Sequence, residues 1–387
     1  MIKFLPLVLK NCLRSKRRSL LTILSIAASL CLLGVLGAFY YMFFLTTPSE
    51  DQALRLWTRN RVSLARPLPL SYEQKIAQIP GVAEVMIFQW FGGTYKDSRD
   101  PKNFFPRFAA EAGKLFDVYP EYKVPGDQKQ AFLRERTACI VGRKLADRIG
   151  VRVGDRVLLK GDIFPVNLDL TVRGIYESPR DNENLIFHNE YLRESMKGLG
   201  WGDWTSTFAI RARSIEDVPH IAKAVDDTFR NSPAQTKTET EKQFEISFLS
   251  FLGNVKLFLI SICAAVTFTI LLVSGNTMAM SVRERVREVG ILKTLGFRRG
   301  AILAIIVSES VFIAILGGVL GLAFAELVCE FARRMPSTFA DMTRIKMPPE
   351  VWALAMVVAV FIGVVSSVVP AWNAARLPIV EALRFTD

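Results

Sequence analysis

The residues able to do chemistry in this 387-residue chain are few and poorly spaced for catalysis. Two histidines, His188 and His220, stand at no metal-ligand spacing from each other or from any of the five cysteines. They read as surface or satisfied polar residues. There is no Gly-x-Ser-x-Gly elbow and no glycine-rich loop ending in Gly-Lys-Ser/Thr. Asp226-Asp227 falls on a predicted helix, where adjacent acids mark a solvated face more often than an acid/base pair. No catalytic, cofactor-binding or metal site is assigned to this chain. One segment is chemically unusual instead: SVRERVREVGILKTLGFRRGAIL, residues 281–303, carries six cations and two acids between long apolar runs.

The surrounding elements give that segment its place. Mean hydropathy is positive, and the apolar residues gather into four blocks: 19–45, 257–282, 301–325 and 351–375, interrupted only by Glu309. Each exceeds the ~20 residues that cross a bilayer as a helix. The first is far longer than the ~7–15-residue core of a secretory signal, so it reads as an uncleaved anchor. Lys3, Lys10, Arg14, Lys16, Arg17 and Arg18 precede it with no acid among them, which places the N-terminus on the cytoplasmic side. Four spans then return the C-terminus to that side and make residues 283–299 cytoplasmic. Residues 1–18 and 283–299 hold +10 of the formal net charge of +12. The high isoelectric point therefore reports topology, and no nucleic-acid partner is expected.

The predicted organisation is a membrane α-helical protein of four transmembrane helices, with a large α+β extracytoplasmic domain between helices 1 and 2. Its segments are a basic stretch 1–18, a span 19–45, an outer domain 46–246, a stalk and span 247–282, a cytoplasmic helix 283–299, a span 300–325, an outer loop 326–349, a span 350–372 and a tail 373–387. Within the outer domain, 68–90 reads as a helix ended at Pro80-Gly81 and then an alternating strand. Residues 205–240 read as strand, helix, turn and polar strand, with Ile221, Ala224, Val225 and Phe229 on one helical face. These flanks, 50–95 and 205–245, are expected to pair as a split β-α-β sandwich. The insert 96–204 is expected to be a mostly β module, with Gly154-Asp155 as a hairpin turn. Cys139 is its one thiol, so this domain must hold by its core; Cys12, Cys31, Cys263 and Cys329 are packing residues in or beside the spans. From about Glu239 a phenylalanine-rich helical pattern suggests a stalk continuous with the second span.

The run NTMAMSVRERVREVGILKTLGFRRGAILAIIVSESVFIAILGGVLGL (276–322) closely resembles the FtsX-like permease domain of type VII ABC transporters, the family of the macrolide exporter and the lipoprotein-release permeases. PAWNAARLPIVEALR (370–384) resembles that family's closing motif. The resemblance is strong from residue 250 onward and architectural in 46–249. It implies that 283–299 is a coupling helix docking into a separate ATPase subunit that carries ATP and Mg, since only 18 residues precede the first span. The carried-over coupling residues are Arg283, Glu284, Arg285, Arg287, Glu288, Gly290, Leu292, Lys293 and Gly296, with Gly296 placed to end the helix.

It also implies a second permease copy or a sister permease, and a periplasmic adaptor. The expected role is the permease subunit of an ATP-driven complex in the bacterial inner membrane, moving its periplasmic domain to export a substrate or release lipoproteins. The alternative is a transmembrane scaffold that activates a periplasmic cell-wall hydrolase or senses antimicrobial peptides. A basic helix resting on anionic membrane lipid is the plainer reading of 283–299 taken alone. Glu309, an ionisable group inside a span, is expected in a structural ion pair. Gly34, Ala38, Gly317 and Gly321 offer small faces for helix packing. Trp90, Phe91, Trp201 and Trp204 are the outer-domain aromatics that either line an apolar surface or sit in its core.

Overall fold

The computed structural model describes residues 16–179, 181–199, 202–251, 254–284, 286–334 and 345–378. Lys3, Lys10, Cys12, Arg14, Arg285 and Trp201, with residues 335–344 and 379–387, lie outside them. Two compact units result: the described residues up to 46 and from 254 onward, and residues 47–251. The first opens with α1 (Lys16–Tyr40), continued by a π-helical turn, Tyr41–Leu45.

In the second unit the first flank holds β1 (Arg55–Asn60), β2 (Leu68–Pro69), α2 (Tyr72–Ala77) and β3 (Val82–Trp90). The insert follows with β4 (Gly93–Tyr95), β5 (Arg107–Ala110), α3 (Ala112–Val118), α4 (Gly126–Arg134), β6 (Ala138–Gly142), α5 (Arg143–Ile149), β7 (Arg156–Gly161), β8 (Asn167–Tyr176), β9 (Leu185–His188) and α6 (Asn189–Met196). The second flank contributes β10 (Trp204–Thr205), β11 (Thr207–Ala212), α7 (Asp217–Thr228), β12 (Thr236–Thr240) and α8 (Glu241–Phe251). The chain then returns to the first unit as α9 (Val255–Glu284), α10 (Val286–Thr294), α11 (Arg299–Arg334) and α12 (Pro349–Arg376).

The flanks pair as the split β-α-β pattern requires. Strands β12, β1, β11 and β3 lie side by side, all antiparallel, so each flank contributes one central and one outer strand. Alternation sorts the side chains. Leu56, Val85, Ile87, Phe208 and Ile210 face α2 and α7, packing on Tyr72, Ile76, Ile221, Val225 and Phe229. Trp57, Met86, Phe88 and Ala209 face the other way, toward α3 and α8. Gly81, at φ +92°, makes the turn from α2 into β3.

The insert departs from a separate, mostly β module. Its described residues carry four α-helices, and its strands extend the flank sheet into a single order β12-β1-β11-β3-β5-β9-β6-β8-β7-β4. The bridge is the end of β3, which pairs with β5 from Phe88↔Ala110 to Trp90↔Phe108. Gly154-Asp155 joins α5 to β7 and is no hairpin: Asp155 accepts from the Arg152 amide at 2.8 Å, Gly154 has φ +102°, and the β7–β8 connection comes later, at 162–166. Phe91 is a core residue, whereas Trp90 and Trp204 are exposed. His188 is buried with its Nε2 at 2.7 Å from the Phe132 carbonyl, and burial pushes its pKa down. Asp226 is not a simple solvated acid: its carboxylate accepts from the Thr236 and Thr238 hydroxyls and the Thr238 amide, fixing β12 to α7.

Among the described residues of the first unit, four helices are long and apolar enough to cross a membrane. Helix α11 reaches Arg334, nine residues beyond the predicted span end, because Arg333 pairs with Glu326 and Glu330 and Arg334 with Glu330. Such pairs at helical spacing hold turns that apolarity no longer supports. The α12 helix likewise continues to Arg376. The stalk is not continuous with the second span. Asn254 is non-helical, and its Oδ1 accepts from the Leu257 amide at 3.1 Å, so α9 starts with its own cap.

Close backbone approach sets the bundle. A Cβ on Gly321 would lie 2.3 Å from the Ala27 carbonyl oxygen, and one on Gly317 2.8 Å from Ile26 Cγ2. Replacing Gly321 with Val should therefore lower stability by about 1–3 kcal/mol, measured as loss of folded protein in a detergent thermal-aggregation assay. Gly300→Val, where nothing lies within 4 Å, should not.

Candidate functional site

The short helix α10 is shaped by a two-sided pattern. Val286, Val289 and Gly290 are buried, while Arg287, Ile291, Thr294 and Leu295 point outward. The helix stops at Gly296, φ +85°, in a paired cap: the Phe297 amide donates to the Leu292 carbonyl and the Gly296 amide to the Lys293 carbonyl, both at 3.1 Å. Only a residue tolerant of the left-handed region closes the helix this way.

The buried face rests on the ends of three spans. Val289 and Leu292, with Val282 of α9, line a cavity of about 50 Å³ together with Met278, Ile302 and Ile305, and Val286 is also buried. Glu288 and Glu309 border the same cavity, which brings together one residue of the expected coupling set and the carboxylate expected within a span. Glu309 is buried. Next to it, the Ser310 hydroxyl donates to the Met278 sulfur at 3.0 Å, tying α11 to α9. The Lys293 ammonium donates to the Leu377 carbonyl, the residue that closes α12. A cation at a helix C-terminus satisfies an orphan carbonyl and complements the helix dipole. Burial and the nearby Arg299 push the Lys293 pKa down. Leu292 is half-buried, and Arg283 and Glu284 are exposed.

Helix packing draws the small residues to one seam. Gly34 faces Leu322 and Ala325, and Ala38 lies in the cluster with Leu322, Ala325, Cys329 and Ala355. Gly317 and Gly321 face Ile26 and Ala27 of α1. Among the described residues no group of three or more His, Cys, Asp or Glu is arranged to hold a metal ion.

Residues 19–228 match the MacB-like periplasmic core domain, and residues 244–379 match the FtsX-like permease C-terminal domain. The chain belongs to the FtsX-like, MacB-like permease family. This permease is 27% identical over 316 residues to an uncharacterised ABC transporter permease of Methanocaldococcus jannaschii, covering 80% of this chain and 77% of that one. It is 34% identical over 253 residues to the pyoverdine export ATP-binding/permease protein PvdT of Pseudomonas putida, covering 63% of this chain but 37% of PvdT. To the macrolide export ATP-binding/permease protein MacB of Chromobacterium violaceum it is 35% identical over 129 residues, 32% of this chain and 19% of MacB. The permease thus spans well under half the length of these two export proteins. Among solved structures, the periplasmic region of MacB from Actinobacillus actinomycetemcomitans is similar at 10% identity, covering 52% of this chain and 93% of that one, with a TM-score of 0.38. The chain is a membrane-embedded ABC permease with four spanning helices and an extracellular α/β domain after the first.

A polar junction in the outer unit is absent from the sequence reading. Arg55, 2% exposed, donates from both terminal nitrogens to Glu121 and from Nε to Glu241 at 2.7 Å, with its guanidinium 4.3 Å above the Tyr119 ring. Burial alone would lower the arginine pKa, but Glu241, Tyr119 and Glu121 hold it above its ordinary value. Burial pushes Glu241 up to about 7, with Arg55 opposing the rise and Glu245 and Glu121 adding to it. One cation among three carboxylates leaves the junction acid-rich. The one signal for it was the alternation of Arg55 with Trp57, which puts a charge on a buried strand face.

The sign of the pH effect follows from Glu241. Its folded pKa lies above the ordinary carboxylate value, so the folded protein binds the proton more tightly than the unfolded chain. That contribution is complete below the unfolded value, about pH 4.3, and is lost as pH rises through about 7. Against the opposite trend from buried His188, whose lowered pKa adds stability as pH rises, this contribution should lower the melting temperature of the purified permease from about pH 4.5 to about 7. Glu241→Gln should flatten that slope; an unchanged slope in the variant would reject the assignment.

Proposed function

We propose that this chain is the permease subunit of an ATP-driven complex of the inner, cytoplasmic membrane, and that it passes the motion of a separate ATPase to its periplasmic domain. The observation that carries this reading is the outward face of α10. Ile291 and Leu295 are 48% and 70% exposed at the end of a helix whose other side is seated on three spans. Arg283 and Arg287 before them in the chain, and Arg298 and Arg299 after them, are exposed as well. A cationic rim supports a cytoplasmic position for this end of the bundle, with both termini on that side. An apolar centre within a charged rim is the composition of a protein-binding patch, whereas a lipid-resting helix would turn its apolar residues to the bilayer and its cations to the headgroups.

Closure of the ATPase would push on α10, and the push would pass through its buried face to α9, α11 and α12. Lys293, through the end of α12, extends this to the fourth span. Glu288 and Glu309 border the cavity beneath this face, and Gly290 lies buried on it. Movement would then travel along α9 and α8 to the outer domain, expelling a substrate from the periplasm or releasing a lipoprotein. The complex is proposed to pair two permease chains and to engage a periplasmic adaptor. ATP and Mg would reside on the ATPase, and no catalysis is assigned to this chain.

Purification of the permease in mild detergent from its own host should bring down a stoichiometric ABC ATPase. The double variant Ile291→Asp, Leu295→Asp should fold and reach the membrane yet lose at least tenfold of that ATPase. Retention of the ATPase by this variant would remove the coupling role from α10.

A further inference from the structure

The outer unit poses a mechanical question that its sheet order makes plain. Helix α8 follows directly from β12, an edge strand, and the insert first joins the sheet at β5. Between them lie β1, β11 and β3. At about 4.8 Å per strand, the hydrogen-bonded route from β12 to β5 is about 19 Å wide. Twist and shear in four strand pairs would absorb small movements along it.

A direct route exists on the face that carries Trp57. There α8 lies beside the insert: Phe244 stacks on Trp57 with ring centroids 4.5 Å apart, in the same cluster as Leu115, Val118, Tyr119 and Tyr122. Apolar contact of this kind is non-directional, so surfaces in it can slide. Arg55 removes that freedom. Its planar fork holds Glu121 by two nitrogens, its Nε holds Glu241 in the first turn of α8, and Nη1 also reaches the Val118 carbonyl at 3.4 Å. A bidentate arginine–carboxylate pair fixes orientation as well as distance.

The Glu121 side is anchored to the insert core. Tyr119 and Tyr122 stack at 5.0 Å, Tyr122 packs on Tyr176 of β8 at 4.7 Å, and Lys123 bridges to Glu177. On the α8 side, the Gln52 amide donates to Glu245 at 3.2 Å. Without the guanidinium, the Glu121 and Glu241 carboxylates would face each other with no cation between them.

We infer that Arg55 is a positioning residue that locks the first turn of α8 to the insert, so that stalk movement is delivered to the insert directly and not through the sheet. Its role in transmission rests on the function proposed above.

The test is hydrogen–deuterium exchange on the full chain with its co-purified ATPase in lipid nanodiscs, without nucleotide and trapped with ATP and vanadate. In the wild type, exchange should change on trapping both in α10 and in α3–α4. In Arg55→Lys, which keeps the buried charge but loses the fork, α10 should still respond while the response of α3–α4 falls at least tenfold. ATP hydrolysis should stay within twofold of wild type. Glu121→Gln, which keeps shape and removes the charge, should reproduce that uncoupling. An insert response in both variants equal to wild type overturns the role of Arg55 and leaves the ATPase reading standing. A wild-type α10 that ignores nucleotide overturns the ATPase reading, and the transmission assigned to Arg55 with it.

Discussion

Everything in the membrane unit depends on how closely α1 and α11 approach. Lipid tails are as apolar as leucine side chains, so spans gain little from burying one another's hydrocarbon and must gain from close packing. At Gly321 no atom beyond hydrogen fits between the helix and the Ala27 carbonyl. Gly363 repeats the arrangement from α12, where a Cβ would lie 2.9 Å from Val311 Cα. Helix α11 is thereby fixed on two sides. With it are fixed the floor on which α10 sits and the position of Glu309 beneath that floor.

The outer unit solves a different problem by different means. Its flanks and insert share one sheet, with large cores on its faces. Those cores are apolar and need no charge for stability. The buried Arg55 cluster is an expense by comparison, because desolvating an arginine and its carboxylates offsets much of their attraction. Such a cluster fixes geometry more than it adds stability.

Much of this was legible. Period-2 and period-3.6 patterns in 68–90 and 205–240 locate β3, α2, β11, α7 and β12, and the split β-α-β expectation matches the flank strand order. Apolar blocks, broken by charge at Glu309 alone, locate four spans. The misses share a cause: local pattern cannot see a distant partner. The β3–β5 pairing that merges insert and flank involves three residue pairs with no signature of their own. The extension of α11 lies in Glu326, Glu330 and Arg333, whose spacing is informative only once a helix is assumed. The break before α9 was readable. Gly253-Asn254 ahead of an apolar run is a helix-start signal, masked by the phenylalanine periodicity on either side. Of the segment around α10, the sequence shows its amphipathic strip and its glycine stop. It does not show that Lys293 reaches α12, since Leu377 is distant in the chain.

The two ends of the ten-stranded sheet carry a last consequence. One is β4, three residues long, and the other is β12, Thr-Lys-Thr-Glu-Thr. Long apolar edges recruit further strands, whereas short or charged ones resist it. Copies crowded on a membrane surface thus keep their sheets separate, and the protein is guarded against edge-to-edge aggregation by the very strands that bound it.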